Sequence, residues 1–179
     1  MAIFPPKERL WWNEPIARTE ILWIAIALIW SIIMFLMMPY WHIVGKQNPP
    51  TEAYRINPDT FAALAEEAAA QYTVGEWGDT GIPVVRPPAG DDIYMISRLW
   101  EWWPVFELKK GETYRLHASS LDYMHGLSLQ PVNLNLQIHP DYDMVMTITP
   151  TEVGEFGIVC NEYCGIGHHT MLGKMIVVE

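Results

Sequence analysis

One stretch restricts the fold of this chain more than any other: residues 21–38 contain a single polar side chain, Ser31. At a rise of about 1.5 Å per residue, about 20 such residues cross a hydrocarbon core about 30 Å thick. A transmembrane helix is therefore predicted over 20–41. Trp11, Trp12 and Trp23 lie near one end and Tyr40 and Trp41 at the other, in the positions of interfacial aromatic belts. A cleaved signal peptide would have a shorter apolar core, roughly 7–15 residues, followed by an Ala-x-Ala-like site. Neither feature is present, so the helix is expected to stay as an anchor.

Charge bears on the two sides of the span. Lys7, Arg9 and Arg18 precede it and Lys46 and Arg55 follow it, a bias toward a cytoplasmic N-terminus over residues 1–19. The first three are balanced by Glu8, Glu14 and Glu20, so the formal net charge of −10 belongs to the part after the span. An acidic surface argues against nucleic acid and either steers a basic soluble partner or serves solubility. His42, just past the apolar run, is expected at the membrane surface.

Residues 42–92 are rich in Pro, Gly, Ala and acidic residues and read as a linker. They hold one short helix near 57–71, with Asn57 or Asp59 as its cap and Pro58 in its first turn. Beyond residue 92, short apolar runs at 93–97, 105–108, 113–117, 134–138, 144–148, 157–159 and 174–178 are divided by turn residues such as Lys110-Gly111 and His139-Pro140-Asp141. Strands at this spacing predict an all-β sandwich or Greek-key barrel over 93–179.

The only two cysteines fall in one loop, Cys160-Asn-Glu-Tyr-Cys164-Gly-Ile-Gly-His168-His169-Thr-Met171. Thiolates with imidazole and a thioether select copper over magnesium, calcium or manganese, and a weak Met ligand is typical of copper electron-transfer centres. A mononuclear blue-copper site uses one Cys, so a second thiolate four residues on points to two coppers bridged by both sulfurs. Each copper then needs an imidazole. The loop offers His168 or His169 for one, and the best donor for the other is His125, in Ser120-Leu-Asp122-Tyr-Met-His125. A disulfide is the default for two cysteines outside the cytoplasm, but His and Met at fixed offsets behind the pair argue against it. His117 and His139 lack a partner in the pattern and read as surface or satisfied core histidines.

The spacing of Cys, Cys, His and Met behind an upstream Ser-x-Asp-x-x-His resembles the binuclear CuA site of subunit II of haem-copper oxidases. The resemblance implies a cupredoxin fold for 93–179, and as metal ligands Cys160, Cys164, His125, His168, Met171 and the backbone carbonyl of Glu162. It selects His168 over His169. It also implies an electron-carrying subunit of a cytochrome c oxidase, with its copper domain on the outer face of a prokaryotic plasma membrane. Electrons would come from a soluble cytochrome c or cupredoxin and pass to haems in a catalytic subunit I that reduces O₂ and translocates protons. A single span, in place of the commoner two-helix hairpin, resembles the B-type group.

Further roles follow from the same resemblance. The Glu162 carboxylate is expected to bind magnesium at the junction with the catalytic subunit. Trp100, Trp102 and Trp103 resemble an aromatic patch that receives electrons, with plain packing or a subunit interface as the alternatives. Glu20 is either an interfacial charge or part of a proton path. A haem-copper nitric oxide reductase partner is the alternative reading of function. A nitrous oxide reductase fits the length and the span poorly, and a copper chaperone would not need bridging thiolates with a separately held His. No Cys-x-x-Cys-His occurs, so no covalent haem c is expected.

Overall fold

The computed structural model describes residues 15–45 and 51–179 and divides into two units, residues 1–46 and 47–179. Lys7, Glu8, Arg9, Trp11, Trp12, Glu14 and Lys46, used above for belts and charge bias, lie outside the described residues.

The first unit contains α1 (Arg18–Val44), 27 residues long. That is about 40 Å at the helical rise, enough to cross a bilayer with some tilt. Among the described residues none of α1 is buried, and it is long and apolar enough to cross a membrane. Glu20 has a local task at the helix start: its Oε2 accepts from the Ala17 N–H at 2.8 Å, satisfying one of the amides that a helix N-terminus leaves open. The polar Ser31 is satisfied in the same way, its hydroxyl donating to the Ala27 carbonyl at 2.8 Å.

The second unit is a two-sheet β-sandwich. One sheet has the order β1-β10-β7-β4-β5, and the other β2-β3-β6-β12-β11-β8-β9. The strands are β1 (Thr51–Arg55), β2 (Thr73–Glu76), β3 (Pro83–Val85), β4 (Asp92–Arg98), β5 (Glu101–Trp103), β6 (Val105–Lys109), β7 (Tyr114–Ser120), β8 (His125–Leu129), β9 (Leu134–Ile138), β10 (Tyr142–Ile148), β11 (Gly154–Cys160) and β12 (Leu172–Val178). Alternation drives the packing. In β7, Tyr114, Leu116 and Ala118 face the core while Arg115 stays exposed, and Leu127 and Leu129 of β8 meet them from the other sheet.

The segment 42–92 holds more than a linker with one helix. It supplies β1, which pairs antiparallel with β10, and β3, which pairs parallel with β6. Its helix α2 (Pro58–Tyr72) is capped by Asn57, whose Oδ1 accepts from the Asp59 N–H at 2.9 Å, with Pro58 in the first turn. α2 covers the outer face of the five-stranded sheet, seating Phe61 and Ala65 with Ile96. His117 sits nearby, its Nδ1 2.7 Å from Asp143 Oδ2 and its ring stacked on Tyr94 with centroids 4.8 Å apart. It is a buried, partnered histidine outside the cysteine cluster.

Candidate metal centre

Strand register brings the donors to one end of the seven-stranded sheet. Cys160 is the last residue of β11 and is paired with Leu127 of β8, while His125 is the first residue of β8. β11 and β12 are antiparallel, with Val159 opposite Leu172, so Met171 emerges beside Cys160 at the other foot of the loop. The Cys160 N–H donates to the Met171 carbonyl at 3.3 Å and closes that loop at its base.

Within the loop the thiols are reduced, their Sγ atoms 3.8 Å apart against about 2.05 Å for a disulfide. Cys160 Sγ lies 3.9 Å from His125 Nδ1 and donates to the Glu162 carbonyl at 3.2 Å. Cys164 Sγ lies 3.7 Å from His168 Nδ1 and 3.7 Å from Met171 Sδ. The donors thus fall into two sets, each with one imidazole, joined by the sulfur pair. His125 and Met171 are fully buried and both cysteines nearly so. One ligand atom from each of His125, Cys160 and Cys164 lies within 4.8 Å of the others.

All six donors read from the sequence converge here. His169 does not: it is exposed on the short 3₁₀ turn His168–Thr170, whose other histidine points its Nδ1 at Cys164. That turn is tied by the His168 N–H to the Gly165 carbonyl at 3.0 Å and by the Met171 N–H to the His168 carbonyl at 3.2 Å. His139 is half-buried at the end of β9.

The surroundings hold the donors in place. His125 Nε2 donates to Asp122 Oδ1 at 2.8 Å, which fixes the tautomer that leaves Nδ1 toward the sulfur. Burial works to raise the Asp122 carboxyl, but hydrogen bonds from His125, Tyr123 N and Leu99 N together hold it below its ordinary value. At Cys164, burial and the adjoining Cys160 thiol push the thiol up to about 11. Gly126 is needed by close approach, since a Cβ there would lie 2.1 Å from Asn161 Oδ1 and 2.7 Å from Glu162 N. Outside the loop, Gln137 Nε2 donates to Glu162 Oε1 and Asn161 Nδ2 donates to Asn135 Oδ1, both at 2.9 Å.

Two features were not read from the sequence. The roles of Asp122 and Gly126 depend on contacts across strands, although an Asp three residues before a ligand-type His is a signal that could have shown the first. The second is a shallow depression of about 540 Å³ above Cys164, rimmed by Leu99, Trp100, Tyr123, Tyr163 and Ile166. Tyr163 and Ile166 are 76% and 87% exposed, an unusual cost for apolar side chains unless something covers them.

Two thiols, two imidazoles, a thioether and a carbonyl make a soft, nitrogen- and sulfur-rich set that fits copper and would not suit magnesium or calcium. No family model matches the chain. Among curated proteins, a cytochrome c oxidase subunit 2 of Thermus thermophilus is 26% identical over 162 residues, covering 88% of this chain and 90% of the relative. A second protein of that name from Thermus thermophilus is 30% identical over 107 residues, covering 59% of this chain and 79% of the relative. In fold, a chain from the cryo-EM structure of a heme-copper terminal oxidase dimer aligns with a TM-score of 0.56 at 23% identity, over 90% of this chain and 100% of that one. With its apolar anchor helix, its sandwich and these relatives, the chain is a membrane-anchored protein that belongs to the cytochrome c oxidase subunit 2 family.

Proposed function

We propose that this chain is the subunit through which electrons enter a terminal oxidase, received from a soluble donor at a binuclear copper centre and delivered to haems of a catalytic subunit. The observation that carries the reading is the division of the donors: His125 faces one thiol and His168 the other, across a sulfur pair 3.8 Å apart. Cys160, Cys164, His125 and the Glu162 carbonyl would hold one copper, and Cys160, Cys164, His168 and Met171 would hold the other. When bound, the pair supplies reversible one-electron transfer without bond making.

The chain's residues serve that chemistry by staying still and dry. Burial of His125, Met171 and both thiols excludes water, and Asp122 holds the His125 ring through its far nitrogen. Donors fixed at strand ends and in the hydrogen-bonded loop between β11 and β12 change little in geometry when the charge changes, which keeps electron transfer fast. The apolar depression over Cys164 is where we place the donor, with Trp100 in its rim. The Glu162 carboxylate, steadied by Gln137, is the chain's contribution to a magnesium site shared with the catalytic subunit. The anchor helix runs with its N-terminus cytoplasmic and the sandwich outside.

Copper content and an electron paramagnetic resonance spectrum of the full-length chain in detergent test the reading. Two coppers per chain and a seven-line hyperfine pattern are expected; one copper with four lines would overturn it. Purification with the catalytic subunit and comparison of O₂ and nitric oxide as substrates would settle the partner's reaction.

A further inference from the structure

The turn between β4 and β5 grips the donor cluster at more points than its place at the edge of the five-stranded sheet requires. Leu99 N donates to Asp122 Oδ2 at 2.7 Å, and the same carboxylate accepts from His125 Nε2 at 2.8 Å, so the turn and a ligand imidazole share one anchor. Next, the Trp100 indole lies against the loop between Cys164 and Met171. A Cβ on Gly167 would come within 2.3 Å of that ring, and one on Gly165 within 3.6 Å.

Two residues on, Trp102 is 1% exposed and meets the His125 ring edge-on, with centroids 6.2 Å apart and planes at 66°. It also presses on the strand leaving Met171: a Cβ on Gly173 would lie 2.6 Å from the Trp102 Cβ. Among the described residues its buried Nε1 has no hydrogen-bond partner, and the indole meets the site through its ring. The glycines at 165, 167 and 173 are therefore the complement of two indoles. Through them β5 and the turn before it touch His125 on one side and the loop bearing Cys164, His168 and Met171 on the other.

Resting on the reading of the site as a copper centre, we propose that Trp100 and Trp102 are positioning residues. They clamp the two donor sets at a fixed separation, so that the protein and not the metal sets the geometry of the centre. A large ring with few rotatable bonds, wedged against glycine backbone, yields little when the charge at the site changes. Hydrogen-bonded partners of metal ligands alter metal affinity by about 10–100-fold when removed, and the low end of that range is the scale set for the clamp.

The test uses the full-length, copper-loaded chain and reads copper per chain, hyperfine pattern, copper release to a chelator and thermal unfolding. Trp102→Phe is expected to keep the fold and the copper count, to change the hyperfine pattern and to speed release about tenfold. Gly167→Ala should speed release by a similar factor, because its methyl displaces Trp100. In Gly167→Ala/Trp100→Ala the methyl meets no ring, so the added effect of the alanine should vanish and release should match Trp100→Ala alone. Additive effects in the double variant, or an unchanged hyperfine pattern and release rate in Trp102→Phe, would overturn the clamp. Should Gly167→Ala fail to fold, the Trp102→Phe spectrum and release rate decide alone. A copper count other than two in the unaltered chain would overturn the binuclear reading, whereas the variant-to-parent ratio of release rates would still judge the clamp.

Discussion

Cys160 and Cys164 hold their sulfurs 3.8 Å apart and face different imidazoles, so either thiol is a neighbour of both donor sets. Loss of one is therefore not loss of one ligand in six. Cys164→Ser is expected to remove the bridge and leave at most one copper, seen as a collapse of the seven-line pattern. Met171→Leu, which removes a donor to one metal only, should retain two coppers and raise the midpoint potential in a redox titration.

His168 and His169 are adjacent in sequence but not in role. His168 Nδ1 lies 3.7 Å from Cys164 Sγ, whereas His169 is exposed. We expect His169→Ala to keep copper content and spectrum, and His168→Ala to lose the second copper. Metal analysis of the two proteins side by side separates them.

The Cys164 thiol makes the metal-free protein sensitive to alkali. Cys164 is raised from about 9 to about 11 in the folded chain, first by burial and then by the Cys160 thiol. Below pH 9 the thiol is protonated whether folded or unfolded, so the stability this confers is fully present. Between pH 9 and 11 the unfolded chain gives up its proton first, and about 2–3 kcal/mol of stability drains away. Denaturant titrations of the metal-free protein at pH 8 and 11 should show that loss, and the copper-loaded protein, whose thiolates are already ligated, should not. Copper uptake releases thiol protons and should strengthen as pH rises.

Gly126 tolerates no side chain. A methyl there would meet Asn161 Oδ1 and the Glu162 amide, one of them backbone that cannot swing aside. Gly126→Ala is expected to cost about 1–3 kcal/mol, the usual range for overpacking a fitted site. It should also push the Glu162 carbonyl away from the Cys160 sulfur. A lower melting temperature together with an altered hyperfine pattern would show both effects.

The candidate donors were legible in the sequence because their identity is chemical: two thiols with imidazole and thioether at fixed offsets need no fold to be recognised, while the choice of His168 over His169 came from the resemblance. Their division into two sets followed from two thiolates and the need of each copper for an imidazole, and in the structure His125 Nδ1 and His168 Nδ1 lie beside separate sulfurs. The later strands were legible where burial alternates along the strand, as in β12. β1 and β2 were not, since every residue in them is exposed and no alternation survives in Thr51–Arg55 or Thr73–Glu76. They are strands because β10 and β3 offer them a ladder, a long-range fact that local composition does not carry. The tryptophans at 100 and 102 were visible as aromatic, but their glycine counterparts lie more than 60 residues away in the chain.

The strand order carries a consequence for assembly. β12 follows every donor in the chain yet lies between β6 and β11, pairing parallel with the first and antiparallel with the second. Until it slots in, the seven-stranded sheet exists as two separate pieces, β2-β3-β6 and β11-β8-β9. Such a non-local parallel pairing is slow to form. It follows that Met171 reaches its place beside Cys164 only as the sheet closes, and that a nascent chain halted short of closure would present its thiols without their thioether. Assembly of the full donor set is thereby tied to completion of the sandwich that shelters it.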